Sequence, residues 1–375
     1  MKKRIKPNNA DALPAVSAKS FKPRKSRTIG ISKSNLEFFN NKITNIDKII
    51  WKLKKIDIFS DNLKNEKLLN FKNKKDQLFS ILKNSELYNI LDKSLKKNKK
   101  FKNIKNLKFK SSPLLMGILN TTPDSFSDGG KYLTSYSAYN HIKKLKKEGA
   151  EIIDIGGEST RKNSNTVDSK IEWNRVKSKI KYAKKNKIFV SLDTRKSFVL
   201  NKSLPFKIDL LNDVSGLSFD KRMVDMLRQS KIPFILHHMQ GTPKTMQKNP
   251  KYKNVVLDIY DFFENKLKYI RANKIIHKNI ILDPGIGFGK NLKHNITILN
   301  QISIFHSLGF PVMLGISKKR FIKDIAGNND SIHRTGGTTS SSIYAFLQGV
   351  QIIRVHDVNE IKQAMKVINK IIFNI

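Results

Sequence analysis

Polar side chains that could bind a ligand stand at the ends of eight short apolar runs in this sequence. The set contains acids, amides, bases and one hydroxyl: Asn120, Asp154, Asp193, Asn212, His237, Asp283, Ser317, and Arg354 with His356. An Asp or Asn at such a position often caps the helix that follows. Capping alone does not explain why all eight ends carry hydrogen-bonding groups, so the pattern predicts one shared site. Asp154, followed by Ile-Gly-Gly, stays open to a purely structural role in its turn.

Two residues of this set indicate an anionic ligand. Arg354 and His356 are two positions apart, so in a strand their side chains point to the same side of the chain. An arginine offers phosphate oxygens a two-pronged donor. A long polar stretch, Asn120 to Gly130, follows the first apolar run. Such a loop at a strand end is typically functional or disordered.

The elements that must position these residues form a repeating pattern. Eight apolar runs, from "LLMGIL" at Leu114 to "VQIIRVHD" ending at Asp357, alternate with amphipathic helical stretches. Short buried strands separated by helices over roughly 260 residues predict a (β/α)8 TIM barrel, and a doubly wound open sheet is the rival. In a parallel barrel all strand ends face one rim, where such folds carry their active sites.

The first 112 residues differ from the rest and are rich in lysine. Residues 1–34 show no hydrophobic period and are predicted to be disordered. Residues 41–59 and 76–95 carry apolar side chains at helical spacing, for example Leu78 and Leu82, and are predicted to be amphipathic helices. The predicted division is therefore a basic, partly helical or disordered N-terminal extension, 1–112, of unknown function, and a barrel, 113–375.

Composition narrows the class of protein. The 375 residues carry a formal net charge of +43 and contain no cysteine, which excludes disulfides and thiolate metal sites. No apolar run approaches the ~18 residues of a membrane span, and no apolar segment follows the basic N-terminus as in a signal peptide. The lysines are spread over every segment, which disfavours nucleic-acid binding as the main function. A cytoplasmic protein without a membrane partner is expected.

The motifs at the strand ends together resemble those of the dihydropteroate synthase family. The resemblance runs from Leu114 to the C-terminus, and its motifs stand in order, one per strand end: "MGILNTTPDSFSDGG", "GAEIIDIGGESTR", "SLDTRKS", "LLNDVSG", "HHMQGTPKTMQ", "ILDPGIGFGK", "GISKKRF" and "IIRVHDV". It implies condensation of 6-hydroxymethyl-7,8-dihydropterin diphosphate with p-aminobenzoate, giving 7,8-dihydropteroate and diphosphate. It also implies Mg²⁺ as cofactor and a homodimer.

The resemblance implies a pterin site made of Asp193, Asn212, Asp283 and Lys319, with Met239 beside the flat ring. A pterin edge is a fused amide and amidine, and carboxylate, amide and ammonium groups match its donors and acceptors. A structural salt bridge between Asp283 and Lys319 is the alternative, and a Met at a strand end is by itself more often packing.

The other ligands are assigned in the same way. Arg354 and His356 match the diphosphate site of the family, and Asn120 matches its Mg²⁺-contacting asparagine. One amide oxygen suits a hard cation that keeps waters and substrate phosphates around it. Phe288, in the glycine-rich "PGIGFGK" turn, matches a wall of the aminobenzoate pocket.

The polar stretch after the first run resembles the first mobile loop of the family, and "ESTRKN" resembles the second. Asp124 and Asp128 would supply charge and hydrogen bonds from loop one, with Phe126 walling the aminobenzoate, and Thr160 and Arg161 would act from loop two. Together with Lys319, the two acids and this arginine form the predicted catalytic set. An Asx-turn role remains the alternative for Asp124.

The sequence departs from the family pattern at several positions. Lys162-Asn163 stands where loop two usually has Pro-Gly, and Lys318 and Arg320 replace the commoner Arg and Ser near the aminobenzoate side. Two other functions compete: a corrinoid-linked pterin methyltransferase, which has no use for an Arg-x-His pair, and a basic binding protein with a decayed enzyme domain.

Overall fold

The computed structural model describes two compact units, residues 1–100 and 101–375. The described residues are 28–32, 50–53, 55–59, 67–72, 79–83, 104, 107–109, 112–122, 134–159, 164–327 and 330–373. The second unit contains every strand end discussed above.

Eight parallel strands form the second unit's sheet. They are β1 (Leu114–Asn120), β2 (Ile152–Gly156), β3 (Val190–Asp193), β4 (Leu210–Asp213), β5 (Phe234–His237), β6 (Ile280–Asp283), β7 (Met313–Gly315) and β8 (Ile352–Val355). Their order in the sheet is β6-β5-β4-β3-β2-β1-β8-β7. A parallel bridge between Leu282 and Val312 joins the two outer strands, so the sheet closes into a barrel. The predicted (β/α)8 barrel is confirmed.

Nine α-helices connect or follow these strands in the described residues. They are α1 (Ser135–Glu148), α2 (Ser169–Lys185), α3 (Ser197–Ser203), α4 (Arg222–Ser230), α5 (Val255–Ala272), α6 (Leu292–Asn300), α7 (Arg320–Ala326), α8 (Thr335–Leu347) and α9 (Val358–Phe373). Short 3-10 helices are Leu204–Phe206, His277–Asn279, Ile302–Leu308 and Ile332–Arg334. Over these stretches no helix is both long and apolar enough to cross a membrane.

Local chemistry sets the helix ends. Helix α2 begins after Asp168, whose carboxylate accepts hydrogen bonds from the backbone N–H groups of Lys170 and Ile171. Helix α1 ends at Gly149, whose φ of 103° is left-handed and suits glycine. Each helix packs its apolar stripe against the outer surface of the barrel sheet. Side chains of the helices and of the strands together form the larger core there.

A second, smaller core fills the N-terminal end of the barrel. One or two apolar side chains from most strands form its layer: Leu114, Met116, Ile152, Leu210, Ile235, Ile281, Met313 and Ile352. Ile104 and Leu107 pack on this layer and are 2% and 3% exposed. Their backbones exchange two hydrogen bonds, of 3.2 and 2.9 Å. These two residues close the end of the barrel opposite the strand ends that carry the polar set.

The barrel unit therefore begins before the position expected from composition. The sequence placed residues up to 112 in the extension, whereas Ile104 and Leu107 belong to the core of the unit that starts at Phe101. The lysine-rich surroundings of these two residues hide them from a composition-based boundary.

The first unit contains strands at positions where helices were predicted. Thr28–Ser32, Phe79–Lys83 and Ile50–Leu53 form an antiparallel three-stranded sheet, and Lys55–Phe59 pairs with Lys67–Lys72. The helix prediction is wrong for the described parts of 41–59 and 76–95, and Thr28–Ser32 is ordered as a strand within the range predicted to be disordered. Alternation such as Lys-Ile-Asp-Ile-Phe also satisfies a period of two, and β-branched isoleucine favours the strand.

Candidate active site

The strand ends bring the predicted pterin and diphosphate residues to one rim. Asp193 is in register with Asn212 across β3 and β4. His237 is in register with Asp283 across β5 and β6, and Arg354 lies on β8 beside β1. Because all eight strands are parallel, the residues at their carboxyl ends lie at the same open end of the barrel, called here the mouth.

Arg354 joins two carboxylates at the centre of this mouth. Its Nε donates to Asp154 Oδ2 at 2.6 Å and its Nη2 donates to Asp193 Oδ2 at 2.9 Å. Asn212 Nδ2 donates to the same Asp154 oxygen at 3.1 Å. Burial and the charge of Asp154 raise the pKa of Asp193 well above its usual range. Arg354, assigned to the diphosphate, thus lies within hydrogen-bond distance of Asp193, assigned to the pterin.

A second group surrounds Asp283. Its Oδ1 accepts a hydrogen bond of 2.8 Å from the N–H of Gly285, and burial raises its pKa. Lys319 Nζ donates to the carbonyl of Ile286 and lies 4.4 Å from the centre of the Phe288 ring. Burial lowers the pKa of Lys319 to about 7, although the charge of Asp283 opposes the shift. Asp283 and Lys319 are therefore not a direct structural salt bridge, since the lysine bonds to a carbonyl instead.

His237 completes the wall next to Asp283. Its Nε2 lies 3.9 Å from Asp283 Oδ2, and its ring meets Phe288 edge-on with centroids 4.6 Å apart. Burial and the nearby lysine charges hold the pKa of His237 well below its usual range. The imidazole is therefore neutral and fixes the ring of Phe288 by packing.

His356 lies beside Ser317 at the end of β8. His356 Nδ1 and Ser317 Oγ are 2.9 Å apart, and the His356 backbone N–H donates to the same oxygen at 3.2 Å. Burial and the charge of Arg354 keep the pKa of His356 well below its usual range. His356 is thus a neutral imidazole oriented by a serine. An arriving phosphate would favour its protonation.

The two departures on the aminobenzoate side have local partners. Lys318 Nζ donates to Asp357 Oδ1 at 2.8 Å, and the Lys318 carbonyl accepts from Arg334 Nη1 at 3.0 Å. Arg320 is largely exposed and its Nε donates to Asp324 at 3.4 Å, along helix α7. Arg320 is the first residue of helix α7 and directly follows Lys319, so its place on the aminobenzoate side stays a prediction.

Two buried residues of this site were not assigned to a ligand from the sequence. Asp154, which belongs to the strand-end set but was left open to a structural role, is 0% exposed and bonds to Arg354 and Asn212. Lys290 is 3% exposed, and its Nζ lies 3.0 Å from His238 Nδ1 and 2.9 Å from the carbonyl of Phe288. In the sequence, only the position of Lys290 after the glycine-rich turn could have indicated its role. That position does not distinguish a buried lysine from an exposed one.

The turn that carries Phe288 depends on glycine. Gly285, Gly287 and Gly289 all have positive φ, and a Cβ on Gly285 would lie 1.9 Å from the carbonyl oxygen of His238. No other residue type fits such an approach together with a left-handed backbone. The turn thereby passes over the β5 end and brings Phe288 between His237 and Lys319.

The remaining predicted residues divide into two groups. Asn120, at the end of β1, and Met239, two residues after β5, are half-buried at the same rim. The loop residues lie outside the described part of the chain: Asp124, Phe126, Asp128, Thr160 and Arg161, together with Lys162 and Asn163.

The base of loop two is nevertheless well defined. Glu158 accepts hydrogen bonds of 2.8 Å from Arg195 Nε, from Lys196 Nζ and from the N–H of Val167. The carboxylate of Glu158, the first residue of loop two, is thus bonded to Val167 beyond the loop and to Arg195 and Lys196 after β3. Burial raises the pKa of Glu158, but the hydrogen bonds from Arg195, Lys196 and Val167 together outweigh burial, so the pKa is lowered.

Comparison with known proteins agrees with this geometry. The profile of the family described as "Pterin binding enzyme" matches residues 116–356. The dihydropteroate synthase of Neisseria meningitidis serogroup C is 40% identical over 258 residues, which cover 68% of this chain and 91% of the relative. That of Escherichia coli K12 is 38% identical over 259 residues, covering 69% and 91%.

The chain belongs to the dihydropteroate synthase family. The resemblance seen in its motifs is thereby confirmed. Among solved structures, Yersinia pestis dihydropteroate synthase with a sulfonamide drug complex superposes with a TM-score of 0.68 at 36% identity, covering 71% of this chain and 96% of that one. The Xanthomonas albilineans synthase with 4-aminobenzoic acid gives 0.64 at 32% identity, covering 69% and 93%. In TIM barrels, the rim formed by the carboxyl ends of the strands carries the active site.

Proposed function

We propose that this chain condenses 6-hydroxymethyl-7,8-dihydropterin diphosphate with p-aminobenzoate to give 7,8-dihydropteroate and diphosphate. One observation supports this most directly: Arg354 reaches both Asp154 and Asp193, so a phosphate-binding cation adjoins a heterocycle-binding carboxylate. A substrate whose flat ring and diphosphate are joined by a single carbon would place that carbon between the two groups. A pterin methyltransferase would have no use for the arginine.

The pterin ring would lie against Asp193, Asn212, Asp283 and Lys319. Asp283 and Asp193 accept from ring N–H groups, Asn212 can both donate and accept, and Lys319 donates to a ring oxygen or nitrogen. Asn212 Oδ1 is buried without a hydrogen-bond partner in the described structure, as is one oxygen of Asp154. Unpaired buried oxygens of this kind favour a ligand that supplies N–H donors.

The diphosphate would be held by Arg354 and His356. As the bond from the pterin methylene carbon to the diphosphate oxygen breaks, its electron pair goes to the leaving diphosphate. The amino nitrogen of p-aminobenzoate then forms the new bond and loses a proton. Arg354 stabilises the charge that develops on the leaving group. From loop one, Asp124 and Asp128 would supply charge and hydrogen bonds around the reacting carbon, and Thr160 and Arg161 would act from loop two. Phe126 and Phe288 would wall the aminobenzoate.

A magnesium ion fits the donors at this rim. No group of three or more acidic or histidine side chains suited to a metal occurs in the described ranges. The half-buried amide of Asn120 lies on β1, next to the strand of Arg354. Mg²⁺ commonly takes most of its ligands from water and substrate phosphates, so one amide oxygen suffices on the protein side. Bound there, the ion would neutralise charge on the leaving diphosphate.

A homodimer is supported by an apolar surface on helices α6 to α8. Ile296, Ile325, Tyr344 and Leu347 are exposed by 37% to 61%, and Tyr344 Oη donates to the carbonyl of Asn300 at 3.4 Å, which joins α8 to α6. Light scattering of Ile325→Glu tests this face, with Ile171→Glu on helix α2 as control. Only the Ile325→Glu variant should dissociate into monomers. The cytoplasmic location expected from the sequence stays a prediction.

The experiment for the reaction follows radiolabelled p-aminobenzoate. The wild-type chain should incorporate the label only when the pterin diphosphate is present. Arg354→Ala should lower the rate on the order of 10²-fold. Arg228→Ala removes an exposed arginine paired with Asp225 on helix α4 and serves as the matched control. A wild-type protein that folds but does not incorporate label would contradict the proposed function and favour a decayed enzyme.

A further inference from the structure

Asp154 is a buried acid in the middle of strand β2, and its side chain contacts two substrate-binding residues. It is 0% exposed, whereas most acids in proteins are exposed unless they are paired. Its partners come from different strands, Asn212 from β4 and Arg354 from β8. A carboxylate needed only for folding would have no reason to select these two partners.

A single oxygen of Asp154 serves both partners. Its Oδ2 accepts from Arg354 Nε at 2.6 Å and from Asn212 Nδ2 at 3.1 Å. Asn212 is thereby oriented with its amide nitrogen toward Asp154, and its oxygen is left for a donor on the ligand. One atom thus holds a residue of the pterin half and a residue of the diphosphate half.

The same contact decides which edge of Arg354 faces the substrate. Nε and Nη2, bonded to Asp154 and Asp193, use two of the five N–H donors of a guanidinium. Within the described structure no hydrogen bond is made by Nη1, and the Arg354 side chain is 20% exposed. The remaining donors are therefore available to diphosphate oxygens while Asp154 keeps its contact. A guanidinium held in place loses less side-chain entropy when it binds.

We propose that Asp154 is a positioning residue that aligns Arg354 for the diphosphate and Asn212 for the pterin. The proposal rests on the proposed function, because it takes the ligands of Arg354 and Asn212 from it. Asp154 acts through these two residues, because its Oδ2 accepts a hydrogen bond from each of them. The loss of Asp154 should weaken the binding of both the pterin half and the diphosphate half of the substrate, although different residues bind the two halves.

The test compares Asp154→Asn, Asp154→Glu and a matched control, Asp209→Asn. Asp209 directly precedes strand β4 and, like Asp154, holds a cation: Lys184 Nζ donates to it at 2.6 Å and the N–H of Val190 at 2.8 Å. It lies at the N-terminal end of β4, opposite the rim. Calorimetry is done with inorganic diphosphate and with 6-hydroxymethylpterin that lacks phosphates. Thermal unfolding and steady-state kinetics are recorded for each protein.

Asp154→Asn removes a charge-assisted contact and should weaken inorganic diphosphate about ten- to hundredfold. It should weaken the phosphate-free pterin about tenfold, and the KM for p-aminobenzoate should change less than about twofold. Asp154→Glu keeps the charge but displaces it by one methylene, so positioning still predicts weaker diphosphate binding. Asp209→Asn should lower the melting temperature and leave both affinities unchanged.

A purely structural role for Asp154 would give a different result. If Asp154→Asn is less stable but binds both probes like the wild type, the proposal is overturned. Should that variant not fold, wild-type affinity of Asp154→Glu for diphosphate overturns it equally. A wild-type enzyme that shows no turnover contradicts the proposed function instead, and the calorimetric comparison still decides the role of Asp154.

Discussion

At the scale of single residues, the site is a set of buried charges whose partners are far apart in the chain. Arg354 and Asp154 are separated by 200 positions, and Arg354 and Asp193 by 161. Residue type and place at a strand end predicted that Asp193, Asn212, Asp283 and Arg354 would meet. The hydrogen-bond partners of these side chains were not predictable, because they depend on how each side chain crosses the barrel mouth.

The pairing of Arg354 changes an expectation drawn from the sequence. From the Arg-x-His spacing alone, Arg354→Ala should weaken the pterin diphosphate and spare a pterin without phosphates. In the structure its removal takes a shared cation away from the neighbouring carboxylates of Asp154 and Asp193, so the already raised pKa of Asp193 rises further. We therefore expect Arg354→Ala to weaken the phosphate-free pterin about tenfold as well. Calorimetry with both pterins, using Arg228→Ala as control, checks this, and an unchanged phosphate-free affinity would contradict it.

Lys319 should make substrate binding depend on pH. Burial lowers its pKa to about 7, so above that pH the side chain of Lys319 is mostly a neutral amine. If the pterin diphosphate needs the ammonium form, binding above pH 7 takes up a proton, and the affinity falls by up to about tenfold per pH unit. Lys319→Arg stays charged and should flatten this dependence between pH 7 and 9.

The same lysine affects stability with a definite sign. Its folded pKa is below its unfolded value, so between about 7 and its ordinary pKa the unfolded chain binds more protons. The contribution of Lys319 to the free energy of unfolding therefore rises with pH across that window. Below pH 7 the full cost of burying the charge remains. Urea unfolding of the wild type and Lys319→Met should show a difference that is larger at pH 6 than at pH 9. An equal difference at both would contradict the lowered pKa.

At the scale of elements, the glycine-rich turn after β6 decides the place of Phe288. Gly285 has φ of 72° and no room for a Cβ, whereas Gly327, with φ of 74°, has nothing within 4 Å of the same position. Both substitutions to alanine carry the left-handed strain of about 1–2 kcal/mol. Only Gly285→Ala adds a clash with the His238 carbonyl.

We therefore expect Gly285→Ala to lower the free energy of unfolding by more than Gly327→Ala. It should also raise the KM for p-aminobenzoate, because the turn that carries Phe288 must shift. Chemical denaturation and steady-state kinetics of the two variants measure the difference. If they are equally stable, the turn moves without resistance and does not fix Phe288.

At the scale of the whole molecule, the barrel unit needs residues that its strands do not include. From composition, deletion of residues 1–110 should leave an active barrel. The structure shows Ile104 and Leu107 buried on the apolar layer at its N-terminal end. The deletion removes both of these large side chains and exposes the layer beneath them. Truncating one such side chain to alanine typically lowers the free energy of unfolding by about 2–5 kcal/mol.

We expect a chain of residues 101–375 to fold and to be active, whereas a chain that begins at residue 111 should be less stable by several kcal/mol on the same grounds. Leu107→Ala in the full chain should reproduce part of this loss, and urea unfolding measures all three. If the two truncated chains are equally stable, Ile104 and Leu107 do not hold the end of the barrel.

The sequence by itself determined the barrel, its eight strands and the family. Apolar runs of strand length, a polar residue at the end of each and motifs in a fixed order are local properties, and parallel strands must bring their ends together. Three features were decided only by the tertiary structure. Asp154 became the common partner of Arg354 and Asn212, Lys290 became buried, and Ile104 with Leu107 closed the barrel. Each of these features depends on contacts between distant segments. In the first unit, the spacing of apolar residues fits either a helix or a strand, and strand pairing decided between the two.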